Sequence, residues 1–160
     1  MHIVRPHRVT HTYTQHLVAG PHRVFPLLCP VREAEWLDGW DPLLVQSHSG
    51  VAEPDCVFLT PATPHNAIWY ITRHEPESAF VEMLKITPDV TACRLAIKVR
   101  AAEDGGSDAI ISYSHTSLGS EGDAFLATFT AEYYEKFMRE WEGRMNYFLV
   151  HGKALVGEGG

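Results

Sequence analysis

No stretch of the 160-residue sequence approaches the roughly eighteen consecutive apolar residues of a membrane-spanning helix. The N-terminus, MHIVRPHRV, also lacks the apolar segment of a secretion signal, so the cytoplasm is the expected location. Basic runs are missing as well. With a net charge of −7, the chain lacks the concentrated positive surface that phosphate backbones require, which argues against nucleic acid as a partner. The three cysteines, Cys29, Cys56 and Cys93, are odd in number and show no CxxC spacing. A disulfide framework or cysteine-rich zinc site is therefore not expected, and reduced thiols are. The ten histidines are scattered without an HExxH. On a strand His7 and His11 would share a face and His16 would take the other, so no metal is expected. GxSxG and GxxxxGK[ST] are both missing, and with them the usual marks of hydrolases and nucleotide-dependent enzymes; no cofactor is implied.

What is present is the composition of a globular domain, 45% hydrophobic and 21% charged. The length fits a single domain over 1–160, with its core at about 8–152. RVTHTYTQHLV (8–18) alternates threonines with Val9, His11, Tyr13 and Gln15, the period of a strand. Prolines at 21, 26 and 30 then rule out one long helix and favour two short ones, the second opened by Pro30. From 43 to 116, six segments of strand character alternate with turn chemistry such as Pro88-Asp89 and Asp104-Gly105-Gly106. That spacing predicts an antiparallel meander. In TACRLAIKV (91–99), Cys93, Leu95, Ile97 and Val99 form an apolar face; Arg94 and Lys98, with Arg100 beyond, form a wet one.

The last third of the chain is helical. Ser120 and Asp123 resemble a capping box, and apolar or aromatic residues recur with helical spacing from Phe125 to Leu149, with a break expected near 128–131 and a stop at Gly152. At about 1.5 Å per residue this stripe spans roughly 45 Å, enough to cross a sheet.

Strand, two short helices, six strands and a long C-terminal helix form a helix-grip layout of the α+β class. It resembles the START/Bet v 1-like (SRPBCC) superfamily of polyketide cyclases, dehydratases and lipid-transport proteins. The segments VFPLLCPVREAEWLDGW (24–40), SYSHTSLGSEGDAFL (112–126) and EYYEKFMREWEGRMNYFLVHG (132–152) carry the resemblance. It implies a curved antiparallel sheet wrapped around the long helix, with an apolar cavity between them for a hydrophobic, lipid-like or polyketide-like molecule. The same fold hosts carriers, cyclases and regulators, so it does not assign chemistry.

Strand parity nominates side chains that face such a cavity. If the threonine face of the first strand is outward, His11, Tyr13 and Gln15 are inward. In AFVEMLKIT (79–87), placing Lys85 outside puts Phe80, Glu82, Leu84 and Ile86 inside. In AIISYSHT (109–116), Ala109, Ile111, Tyr113 and His115 face in. Glu82, His11, His115 and Tyr113 are the candidate acid–base groups for a cyclase or dehydratase. From the sheet, Tyr13, Trp69, Phe80, Leu95 and Tyr113 are expected at the ligand; from the helix, Phe129, Tyr133, Phe137 and Trp141. A third reading is a protein–protein module, a homodimer through the exposed sheet edge.

The densest polar segment is CPVREAEWLDGWDP (29–42). On a helix, Glu33 and Glu35 point to nearly opposite sides and cannot form a close acid pair, while Arg32 has Glu35 and Trp36 within reach. Its charges are expected to stay wet. Trp36 and Trp40, around the turn residue Gly39, are expected to anchor this corner or wall the cavity.

Overall fold

The computed structural model describes residues 1–157, so the last three residues of the expected domain lie outside the described ones. The strands are β1 (Arg8–Leu17), β2 (Leu44–Gln46), β3 (Val57–Thr60), β4 (Ala67–Glu75), β5 (Phe80–Thr87), β6 (Thr91–Ala101) and β7 (Ser107–Ser117). They form one antiparallel sheet in the order β1-β7-β6-β5-β4-β3-β2, a meander closed by β1 returning beside β7. The helices are α1 (Pro21–Val24), α2 (Ser120–Thr128) and α3 (Ala131–His151), with 3₁₀ turns at Phe25–Leu27, Arg32–Glu35 and Pro76–Ser78. This is the helix-grip arrangement expected. No helix among the described residues is long and apolar enough to cross a membrane.

Antiparallel pairing stacks the inward side chains into rows, because partners across the ladder share a face. One row runs Phe58, Trp69, Lys85, Cys93, His115, Val9. The next runs Ile71, Met83, Leu95, Tyr113, His11. The inward faces of β1, β6 and β7 are those read from the sequence.

β5 is inverted relative to the expectation. Val81, Met83 and Thr87 are buried and Lys85 is inward, whereas Phe80, Glu82, Leu84 and Ile86 lie on the convex face. Thr87 pairs with Thr91 across a three-residue turn whose Asp89 has φ 65°. That odd turn length makes Lys85 the partner of Cys93, which already faces inward.

Two helix-start expectations also change. Pro30 sits in a turn, and the second short element is a 3₁₀ turn beginning at Arg32. Ser120 is the first helical residue of α2, after Gly119, and makes no cap; Asp123 instead accepts a hydrogen bond from His7 at 2.7 Å. The working cap belongs to α3, where Thr130 Oγ1 accepts from the Tyr133 amide at 3.1 Å. The expected helix break falls at Phe129–Thr130, and Gly152 ends α3 in the left-handed region at φ 71°.

α3 is fastened along the free edge of β1. Asn146 Oδ1 accepts from the Val18 amide (2.9 Å), and its Nδ2 donates to the His16 carbonyl (3.0 Å). Glu142 accepts from the His16 amide, and Gln15 Nε2 donates to the Met138 carbonyl at 3.0 Å. The bonds at His16 and Val18 satisfy backbone groups at the end of that edge that another strand would otherwise pair with.

Two glycines test this packing in opposite directions. A Cβ at Gly122 in α2 would lie 2.0 Å from the Val90 carbonyl oxygen and 2.6 Å from Ser117 Oγ, whereas one at Gly143 in α3 would meet nothing within 4 Å. Gly122→Ala is expected to cost about 1–3 kcal/mol of stability by overpacking. Gly143→Ala is expected to add about 0.5–1 kcal/mol through helix propensity. Urea denaturation of both variants measures these changes; equal effects would contradict the packing described.

Candidate functional site

Between the concave face, α3 and the segment 28–40 lies a cavity of about 440 Å³. Its sheet side is Phe58, Thr60, Trp69, Met83, Lys85, Leu95, Ile97, Tyr113 and His115. Phe125, Phe129, Tyr133, Phe137 and Trp141 wall it from the helices, and Leu28, Pro30, Glu33, Leu37 and Trp40 from the covering segment. Tyr133 is 54% exposed, so the cavity meets solvent near the start of α3. The wall is mainly aromatic and aliphatic with a few polar groups, the usual make-up of a small-molecule site.

Aromatic contacts fix much of this wall. Phe58 stacks on Trp69 at 5.1 Å, and Tyr113 meets Phe137 edge-on at 6.2 Å. Trp69 Nε1 donates to Thr60 Oγ1 (2.9 Å), and Trp40 Nε1 donates to the Pro30 carbonyl (2.7 Å). Their rings are thereby held against the cavity with their polar tips satisfied.

Glu33, Lys85, Tyr113 and His115 are titratable groups of the cavity wall whose protonation its burial perturbs. His115 is 5% exposed, packed edge-on against Phe129 at 4.5 Å and Phe125 at 5.0 Å, and its Nδ1 has no hydrogen-bond partner. Burial, reinforced by Lys85 and His11, pushes its pKa down to about 4, so it is neutral at pH 7. Lys85 places Nζ 4.9 Å from the centre of the Trp69 ring, and burial lowers its pKa. Glu33 is half-buried on the cavity wall, and burial raises its pKa to about 8, which keeps it protonated at pH 7. Burial also lifts the Tyr113 hydroxyl well above its ordinary range.

Of the ligand-contact and acid–base candidates named from sequence, Trp40, Trp69, Leu95, Tyr113, His115, Phe129, Tyr133, Phe137 and Trp141 lie on the cavity wall. Five do not. Glu82 and Phe80 are on the convex face because β5 is inverted: Thr72 Oγ1 donates to Glu82 at 2.9 Å, and the Arg73 guanidinium sits 4.5 Å over the Phe80 ring. His11 points inward but is covered by Phe129, to whose carbonyl it donates at 2.9 Å. Tyr13 points inward beside α3 and donates to Glu142 at 3.4 Å. Trp36, 1% exposed, is a core anchor that donates to the Leu27 carbonyl (2.9 Å) and meets Trp141 edge-on.

Lys85 and Glu33 are the groups that sequence reading missed. Lys85 was recoverable by carrying the inward assignment of Cys93 across a three-residue turn. The charges of 29–42 divide in two: Arg32 pairs with Glu35 at 3.0 Å on the surface, while Glu33 faces the cavity. Among the described residues no group of three or more His, Cys, Asp or Glu is arranged to hold a metal ion.

No family model matches the sequence, and no curated protein matches it. Solved structures match by shape. Norcoclaurine synthase from Thalictrum flavum aligns at TM-score 0.66 and 9% identity over 91% of this chain and 88% of that one. Its complex with dopamine and hydroxybenzaldehyde aligns at TM-score 0.66 over 94% of this chain and 91% of that one, at 9% identity. Ara h 8.0201 aligns at TM-score 0.60 and 14% identity over 91% of this chain and 100% of that one. Identities this low establish architecture alone. The fold of this chain is therefore the helix-grip fold that it shares with these solved structures.

Proposed function

We propose that the chain binds a hydrophobic or aromatic small molecule, of lipid-like or polyketide-like character, in the cavity between the sheet and α3. The observation that carries this reading is the cavity itself: about 440 Å³ walled mainly by aromatic and aliphatic side chains. Protein interiors otherwise pack at crystal-like density, and an apolar space of this size has no role in stability. The buried, free thiols of Cys29, Cys56 and Cys93 accord with the cytoplasm as the compartment. The solved complex of norcoclaurine synthase with dopamine and hydroxybenzaldehyde offers a precedent for aromatic ligands on this architecture.

A second reading, acid–base catalysis of the cyclase or dehydratase type, draws on the sharing of one cavity by Glu33, Lys85, Tyr113 and His115. At pH 7 Glu33 is held protonated and can donate, whereas His115, with its pKa lowered to about 4, accepts a proton only weakly, so Glu33 carries the acid role in this reading.

Trp40, Trp69 and Trp141 line the cavity, which makes ligand entry visible in tryptophan emission. The neutral probe N-phenyl-1-naphthylamine is expected to bind saturably at one site and quench that emission. Leu95→Trp, which fills the cavity, should weaken it at least about tenfold, or roughly 1.4 kcal/mol, with the circular dichroism unchanged. Non-saturable binding, or equal binding by the filled variant, would sink the reading.

Glu33 supplies a stability test. Its folded pKa of about 8 lies above the unfolded value of 4.5, so its contribution is complete below pH 4.5 and is lost as pH rises through 8. Glu33→Gln removes that loss, and its stability relative to the native chain should climb by about 2–4 kcal/mol between pH 4.5 and pH 8. Urea titrations at the two pH values decide it; parallel curves would mean that Glu33 is ordinarily hydrated.

A further inference from the structure

Lys85 is an ammonium in an apolar cavity without an anion beside it. The chain's Lys and Arg ion pairs involve Arg32, Arg73, Arg100 and Arg139, and none involves Lys85 among the described residues. Glu33 lines the same cavity, but no ion pair joins it to Lys85, and its pKa is set by burial alone, so the two do not compensate each other. His115 is neutral at pH 7, and no other acidic side chain is on the wall. Among the described residues the Lys85 Nζ makes no ion pair, and it lies over the face of Trp69.

The register fixes what surrounds this charge. Trp69, Lys85, Cys93 and His115 are direct neighbours across β4 to β7, so His115 sits two strands from Lys85, roughly 10 Å away at the backbone. His115 contributes a buried Nδ1 that has no hydrogen-bond partner among the described residues. The row thus presents one uncompensated cation and one unused polar nitrogen on the sheet. Opposite it stand the rings of Phe137 and Trp141. A buried charge without a partner is costly, and a ligand that brings the opposite charge removes that cost.

We propose that the cavity selects an aromatic or apolar molecule bearing a single carboxylate, with the carboxylate on Lys85 and the apolar body among Phe58, Leu95, Phe137 and Trp141. The proposal rests on the ligand-binding reading above and names the class of ligand. A neutral alcohol or carbonyl leaves the ammonium uncompensated. A dianion would set its second charge in a space where Glu33, being protonated, offers a hydrogen-bond donor and no counter-charge.

The test compares 2-naphthoate with 2-naphthylmethanol, of nearly equal shape, by calorimetry on the full chain at pH 7. The acid should bind at least about tenfold more tightly than the alcohol, about 1.4 kcal/mol. Lys85→Met should abolish that preference, and Lys85→Arg should retain it. Equal affinities in the native chain, or a preference that survives in Lys85→Met, overturn the proposal. Absence of naphthoate binding while N-phenyl-1-naphthylamine still binds overturns the carboxylate inference alone. Failure of all three compounds overturns the ligand-binding reading with it.

Discussion

The attachment of α3 to the edge of β1 governs the rest of the molecule. Asn146, Glu142 and Gln15 complete backbone and side-chain hydrogen bonds between helix and strand, and Tyr134 donates to the Ile111 carbonyl on the neighbouring β7 at 2.5 Å. Each such bond contributes about 0.5–1.5 kcal/mol, and leaving the buried ones unmade would cost more. Because the helix is held at the β1 side of a seven-stranded sheet, it faces β3 to β6 only across a gap, through Phe137 and Trp141. That gap needs a further cover. Residues 28–40 supply it without filling the space, and the gap between cover and sheet is the cavity.

The covering segment is irregular, with a single 3₁₀ turn at Arg32–Glu35, yet it is firmly seated. Trp36 is driven into the core, Trp40 is tied to the Pro30 carbonyl, and Gly39 at φ 82° makes the turn that a side chain would strain. Between these anchors the 3₁₀ turn Arg32–Glu35 turns one carboxyl outward to Arg32 and the other inward to the cavity. On an ideal helix those two positions also diverge, but which of them would meet the sheet depends on how the segment docks. Helical geometry does not contain that information.

Most of the architecture was legible because burial makes the two faces of an element chemically different. β6 alternates aliphatic with basic residues and β7 sets aliphatic and aromatic residues against serines, so each has only one sensible orientation. The break at Phe129–Thr130 and the stop at Gly152 were legible for similar local reasons. β5 was not. Its face Phe80-Glu82-Leu84-Ile86 carries three apolar residues against two on Val81-Met83-Lys85-Thr87, and the customary preference for a solvated lysine also favours the wrong one. The pairing with β6 overrides it, since Val81 and Met83 meet Ile97 and Leu95 on the buried face. His11 and Tyr13 illustrate a different limit. Both face inward as parity requires, but whether an inward residue touches a cavity depends on what packs over it, and here Phe129 and the flank of α3 do.

The places where local rules fail coincide with the polar groups of the cavity. An inward lysine, a buried imidazole with a free nitrogen and a protonated carboxyl each work against stability, and each escapes the full penalty differently. Lys85 leans on an aromatic face, while His115 and Glu33 shed their charge. Lys85, Tyr113 and His115 stand on adjoining rungs of a hydrogen-bonded sheet, so their spacing is set by strand separation and cannot adapt far to a ligand. Glu33 stands on a four-residue turn whose closing ion pair is exposed and weak. A polar row on the sheet facing an acid on the cover suits either the orientation of a bound molecule or the transfer of a proton to it. The difference lies in whether a ligand's reactive atom reaches both supports at once.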